Sequence, residues 1–157
     1  LGLDEDEINK GRIEGIGRFY QQFSGKRMTG INIQIPWSGL LIDGDKSVET
    51  RSYALPEKYE GVELALIETP GKYGQFKSRI IGTITFSHSF QYPNKQSWAD
   101  DYNRHKVEEL DEFYGWNPDK DKYGWVVSDI KKFDEPILAP NKKGIVFTKN
   151  CQVTVDR

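Results

Sequence analysis

Lys46, Glu49 and Arg51 fall inside the short run Gly44-Asp-Lys46-Ser-Val-Glu49-Thr-Arg51. Arginine offers a planar fork of donors, lysine a compact point charge, and glutamate an acceptor or proton shuttle. Gathered together, the three suit a phosphate or a polar base. On an open strand face such groups are ordinarily solvated, and each pair contributes only about 0–1 kcal/mol. They become a site only if the fold carries them into a recess. Trp37, Tyr53 and Trp125 are candidates to stack on a base, the usual grip on an unpaired nucleotide, with Trp116 as a further one. Trp98 reads as core. Ser128, on the strand face opposite Trp125, is a possible hydrogen-bonding partner for a ligand.

The elements around this run are legible. Ile31, Ile33 and Ile35 alternate with polar residues, as in a strand. Pro36 suits a first helical position. Trp37, Leu40 and Leu41 give a short helix one apolar face, and Gly44 is placed to end it. Lys46 then falls at the junction with a strand over Ser47–Tyr53. At period two, Ser47, Glu49, Arg51 and Tyr53 point one way, and Val48 and Thr50 the other. Glu49 and Arg51 would stand about 6.5–7 Å apart on one face.

Further strands are expected at Val62–Glu68, Arg79–Ser87, Trp125–Ile130 and Ile145–Val155. Asn94 and Ser97 offer helix starts, and Ser97 with Asp100 resembles a capping box. On a helical wheel Tyr102, Val107, Leu110, Phe113 and Tyr114 share one side, which predicts a helix continuing through them. Strand-to-strand connections dominate, so a regular parallel α/β sheet is not expected. The expected class is α+β, mainly β: a small, mostly antiparallel barrel of five to six strands with two to three helices packed outside. Residues 1–27 mix acids and bases and read as an N-terminal helical extension or tail, with a short amphipathic helix at about 9–23. Residues 28–157 form the domain.

The chain has 157 residues, which suits one domain of roughly 100–200. Aromatic residues make up 13%, too many for a disordered chain. Cys151 is the single cysteine, so no disulfide framework exists within the chain and a reducing, cytoplasmic setting is expected. No apolar run approaches the ~18 residues of a membrane span. The net charge of −2 excludes a wholesale basic surface for nucleic acid, leaving a local patch. His88 and His105 are the only histidines and no ligand motif accompanies them, so neither a metal nor a cofactor is expected. Gly71–Arg79 is a basic, aromatic loop that resembles no P-loop.

Pro36-Trp37, the helix ending at Gly44, and Gly44-x-Lys46-x-x-Glu49-x-Arg51 together resemble the signature of the ASCH superfamily of PUA-like β-barrels. The likeness is closest to the small stand-alone ASCH proteins. Glu60-Gly61 is similar to the family's turn before a strand, and Ile80-Ile-Gly-Thr-Ile-Thr-Phe86 to its central strand. Tyr123-Gly-Trp125 and Glu135-Pro136 are similar to its late strand and the proline beyond it. The resemblance covers about Ile31–Val155.

What the resemblance implies is a PUA-like barrel with a cleft against a helix, binding RNA or a nucleoside or nucleotide. Lys46, Glu49 and Arg51 match the polar cleft positions. One branch of small bacterial ASCH proteins hydrolyses N4-acylated cytidines with the motif lysine, a threonine three residues on and a helix carboxylate. Here Glu49 stands where that threonine would be. Thr50 is next to it, and Asp101, Glu108 and Glu109 are candidate helix acids. Ribonuclease activity is also associated with the superfamily. Were the chain an enzyme, Lys46 and Glu49 would be the catalytic pair. A protein-interaction module with a vestigial cleft is the third possibility.

Overall fold

Ile31 and Ile33 turn inward along the first strand, β1 (Lys26–Gln34), as their alternation requires. The structure, a computed structural model, describes residues 25–71, 74–141 and 144–153. The helix expected at about 9–23 lies outside them. Lys26 and Arg27, assigned from sequence to the extension, pair with Val153 and Gln152 in the sheet.

After β1 come α1 (Trp37–Ile42), β2 (Val48–Arg51), a 3-10 turn (Glu57–Tyr59), β3 (Glu63–Thr69) and β4 (Arg79–Gln91). Then follow α2 (Lys95–Asp100), α3 (Tyr102–His105), β5 (Tyr123–Leu138) and β6 (Phe147–Val153). The strand order is β2-β5-β4-β3-β1-β6. β1 and β3 run parallel and the other neighbours antiparallel. The chain is thus mainly β, with three short α-helices among the described residues.

The sheet expected as a barrel is not closed by a ladder: the strands form one six-stranded sheet with β2 and β6 at its ends. Both edges of β1 are taken, by β3 and β6, so β2 can reach it only with a side chain. Arg51 Nη2 does so, donating to the Asn32 carbonyl at 3.2 Å. Trp125 in β5 stacks on Phe147 in β6, 6.2 Å apart and 8° from parallel. The sheet curls until its ends meet through side chains instead of a ladder.

Curling encloses the main core. Ile31, Ile33, Leu64, Leu66, Ile84, Phe86 and Trp125 pack there with Leu41 and Ile42 of α1. β3 is buried on both faces. Leu64 and Leu66 join this core, while Ala65 and Ile67 meet Ile80, Cys151 and Val153 in a second cluster. A strand buried on both sides reads as a continuous apolar run, as Leu-Ala-Leu-Ile does.

The long helix through Tyr114 is also corrected. It starts at Asn94, one of the two starts expected, and the capping box lies there and not at Ser97, with Asn94 Oδ1 accepting from Ser97 N at 2.8 Å. Its end comes early because His105 Nδ1 accepts the Val107 amide at 3.0 Å and Lys106 turns left-handed at φ 63°. That amide cannot continue the helical ladder. Asp111 Oδ1 then accepts from the amides of Phe113 and Tyr114, an Asx-type turn. Leu110, expected on an apolar helix face, is exposed. Among the described residues no helix is long and apolar enough to cross a membrane.

Candidate functional site

The turn after α1 determines where Lys46 goes. Gly44, at φ +85°, takes the left-handed conformation that ends a helix without a Cβ clash. Its amide donates to Leu41 O at 3.1 Å, and the Lys46 amide donates back to Leu40 O at 3.0 Å. Ser47 is pinned to Arg104 O of α3 at 2.9 Å. The chain therefore folds tightly over the end of α1, and Lys46 turns inward with only 1% of its surface exposed.

Inside, the lysine is held on three sides. Nζ donates to the His105 carbonyl, lies 3.8 Å from Glu49 Oε1, and sits 5.0 Å from the centre of the Trp37 ring. Glu49 Oε2 accepts from Arg51 Nε at 2.9 Å. Arg51 Nη1 donates to the Tyr53 hydroxyl at 3.3 Å, and the guanidinium lies over Trp125 at 5.5 Å. Burial lowers the Lys46 pKa from its ordinary 10.5, with Glu49 working against the fall and Arg51 adding to it. For Arg51, burial opposes the charge, but Glu49 and Tyr53 outweigh it and the pKa rises.

These groups form the floor of a cavity of about 530 Å³. Trp37 and Tyr114 meet edge to face, 5.7 Å apart, on one wall. The rim comes from the irregular segment after α3, with Phe113, Asn117, Lys120 and Asp121, and from Gly144 and Ile145 before β6. Lys122 Nζ ties that segment down by donating to the carbonyls of Tyr114 and Gly115, each at 2.9 Å.

Of the residues singled out from sequence, Trp37, Lys46, Glu49, Arg51 and Tyr53 all line the cavity. Trp125 does not. It is fully buried behind Arg51, and its Nε1 donates to Tyr53 O at 3.0 Å. Ser128 is exposed elsewhere on β5 and donates to Thr85 O. Thr50, expected to face away, also borders the cavity.

The helix acids do not border the cavity; its described carboxylates are Glu49 and Asp121. Asp101 is occupied by Tyr92 at 2.6 Å and Arg104 at 2.8 Å; burial works to raise its pKa, but the hydrogen bonds from Arg104 and Tyr92 outweigh it and leave the pKa below the ordinary 3.8. Among the described residues no group of three His, Cys, Asp or Glu side chains is placed to hold a metal. Sequence reasoning missed Asn32, Tyr114, Lys120 and Lys122. For three of them the signal was Gly115 and Pro118, which mark the stretch as loop.

Comparison with solved structures shows that the fold is of the ASCH type. The chain is similar to ASCH from Zymomonas mobilis, with TM-score 0.52 and 17% identity over 69% of this chain and 71% of that one. A serine-to-alanine mutant of that protein matches at TM-score 0.57 and 16% identity, covering 77% and 86%. A tyrosine-to-phenylalanine mutant matches at 0.52 and 16%, covering 71% and 76%. No protein-family model and no curated protein matches the sequence.

Proposed function

We propose that the cavity binds a nucleotide or a segment of single-stranded RNA. The observation that carries this reading is the floor: two cations and a carboxylate, withdrawn from water, at the base of a recess of about 530 Å³. Its described lining carries Lys46, Arg51, Lys120 and Lys122 against Glu49 and Asp121, a local positive excess in a chain of net charge −2. Such an excess draws phosphate even when the whole molecule is acidic. Trp37 and Tyr114 supply aromatic surface for a base. A base must be free of a duplex to enter so narrow a recess, which favours single strands.

Fluorescence anisotropy with a labelled single-stranded RNA tests this reading. Affinity should fall as salt rises, Arg51→Ala should weaken it, and a duplex of the same sequence should compete poorly. An absence of binding at low salt, or affinity indifferent to Arg51→Ala, overturns it.

A second reading is a hydrolase acting on a modified nucleoside such as an N4-acylated cytidine, or on RNA. The lowered pKa of Lys46 favours it, because a larger share of neutral amine is then available to accept a proton. Glu49 would serve as the general acid and base. Incubation with N4-acetylcytidine and with RNA decides between the readings. Product that forms with the native chain and not with Lys46→Met supports hydrolysis, and absence of product removes it.

A further inference from the structure

Resting on the nucleotide-binding reading, we infer that the floor selects a base whose edge is an imide, uracil, over cytosine, adenine and guanine. The argument is the order of donors and acceptors. Lys46 Nζ lies 3.8 Å from Glu49 Oε1, and Arg51 Nε lies 2.9 Å from Glu49 Oε2. A carboxylate, which only accepts, therefore stands between two cations, which only donate.

Capacity remains at each position. Lys46 has three donors and spends one on the His105 carbonyl. Arg51 has five and spends three, on Glu49, Tyr53 and Asn32. Glu49 Oε1 has Lys46 beyond hydrogen-bond length and can accept from a ligand.

Uracil presents carbonyl, N–H, carbonyl along one edge, the complement of donor, acceptor, donor. Cytosine and adenine carry a bare ring nitrogen where that N–H would be, and it would face the lone pairs of Glu49. Cytosine satisfies Glu49 only by sliding its amino group onto it, which leaves one cation unmatched. Guanine brings one carbonyl and two adjacent donors, again leaving a cation over. The floor is largely dry, with side chains exposed by 1% at Lys46, 8% at Glu49 and 17% at Arg51. In such a place an unmatched polar group is costly, and discrimination by hydrogen bonding is correspondingly strong.

Calorimetric titration with the 5′-monophosphates of uridine, cytidine, adenosine, guanosine and 3-methyluridine tests the inference. All five share sugar and phosphate, so the salt-dependent part of binding is common to them. Uridine monophosphate should bind about tenfold or more tighter than the others. The 3-methyl compound should lose that advantage because its imide N–H is blocked, and Glu49→Gln should narrow the gap between uridine and cytidine. Equal affinity for uridine and cytidine, or for uridine and its 3-methyl derivative, overturns the selectivity while leaving nucleotide binding intact. Failure of all five to bind overturns both.

Discussion

Arg51 of β2 reaches the backbone carbonyl of Asn32 in β1 at 3.2 Å, joining two strands that share no ladder. The same guanidinium holds Glu49 at 2.9 Å and Tyr53 at 3.3 Å. One side chain thus closes the sheet and shapes the cavity floor.

That double duty sets a stability prediction. Arg51→Met removes three hydrogen bonds and leaves the Glu49 carboxylate with Lys46, at 3.8 Å, as its cation. Breaking a buried pair from one side is far costlier than removing both partners, so the loss should be about 2–4 kcal/mol. Arg51→Lys should recover less than half of it, because an ammonium cannot make the fork. Adding Glu49→Gln to Arg51→Met should restore part of the lost stability. Urea denaturation of the four proteins measures this, and a double variant less stable than the single one contradicts it.

Lys46 makes stability depend on pH in the alkaline direction. Its pKa is lowered in the folded chain, chiefly by burial, and stands at 10.5 when unfolded. Between those two values the unfolded chain binds more protons, so stability rises with pH across that window. Lys122, also lowered by burial, acts with the same sign. Lys46→Met should remove the part of the rise that Lys46 carries while leaving that of Lys122. Urea midpoints measured from neutral pH up to the onset of tyrosine ionisation check this, and an unchanged slope in the variant rules it out.

Much of this was readable from local chemistry. Gly44 and the alternation after it placed Lys46, Glu49 and Arg51 together, because a glycine-terminated helix running into a strand leaves little freedom of direction. The strand order was not readable, since the β2–β5 and β1–β3 pairings depend on contacts far apart in sequence. Trp125 looked like a stacking residue because periodicity gives a face and not a depth. It lies one layer below the cavity, under Arg51. The helix expected through Tyr114 stops short because His105 takes the Val107 amide out of the ladder, which a helical wheel, recording apolar spacing alone, cannot register.

His105 predicts the opposite end of the pH range. Its Nδ1 accepts the Val107 amide at 3.0 Å, so the proton sits on Nε2, which donates to Trp98 O at 2.6 Å. The ring stacks on Trp98, 5.0 Å apart and 7° from parallel. Protonation would turn Nδ1 into a donor facing another donor. Burial lowers the pKa below 6.5; the bond to Trp98 and Asp101 work against it, while Lys46 and Lys122 add to it. Below 6.5 the unfolded chain takes up the proton first, so stability falls as pH drops from there through the lowered value. His105→Phe keeps a ring beside Trp98 and should be less stable at neutral pH, with a flatter acid limb. Thermal denaturation over pH 5–7 reads the two slopes, and equal slopes would count against the assignment.

Lys122 bears on whether the cavity wall is a fixed surface or a slack one. Its ammonium holds the carbonyls of Tyr114 and Gly115, each at 2.9 Å, and lies 5.1 Å from the Trp98 ring centre. Those bonds anchor a stretch that has no ladder of its own, while Phe113 at its tip is 62% exposed. Lys122→Met keeps the aliphatic stem and removes the donors. Burial already opposes the charge, so the variant should lose little global stability. Segments with few buried contacts open far below the global unfolding energy, and amide exchange across residues 108–122 should therefore quicken while the sheet stays protected. Nucleotide affinity should fall as well, by about tenfold. Affinity alone would not separate a lost ligand contact from a loosened wall. Exchange measured on the ligand-free chain does: unchanged protection with weakened binding would make Lys122 a ligand contact, and faster exchange makes it the anchor of the wall.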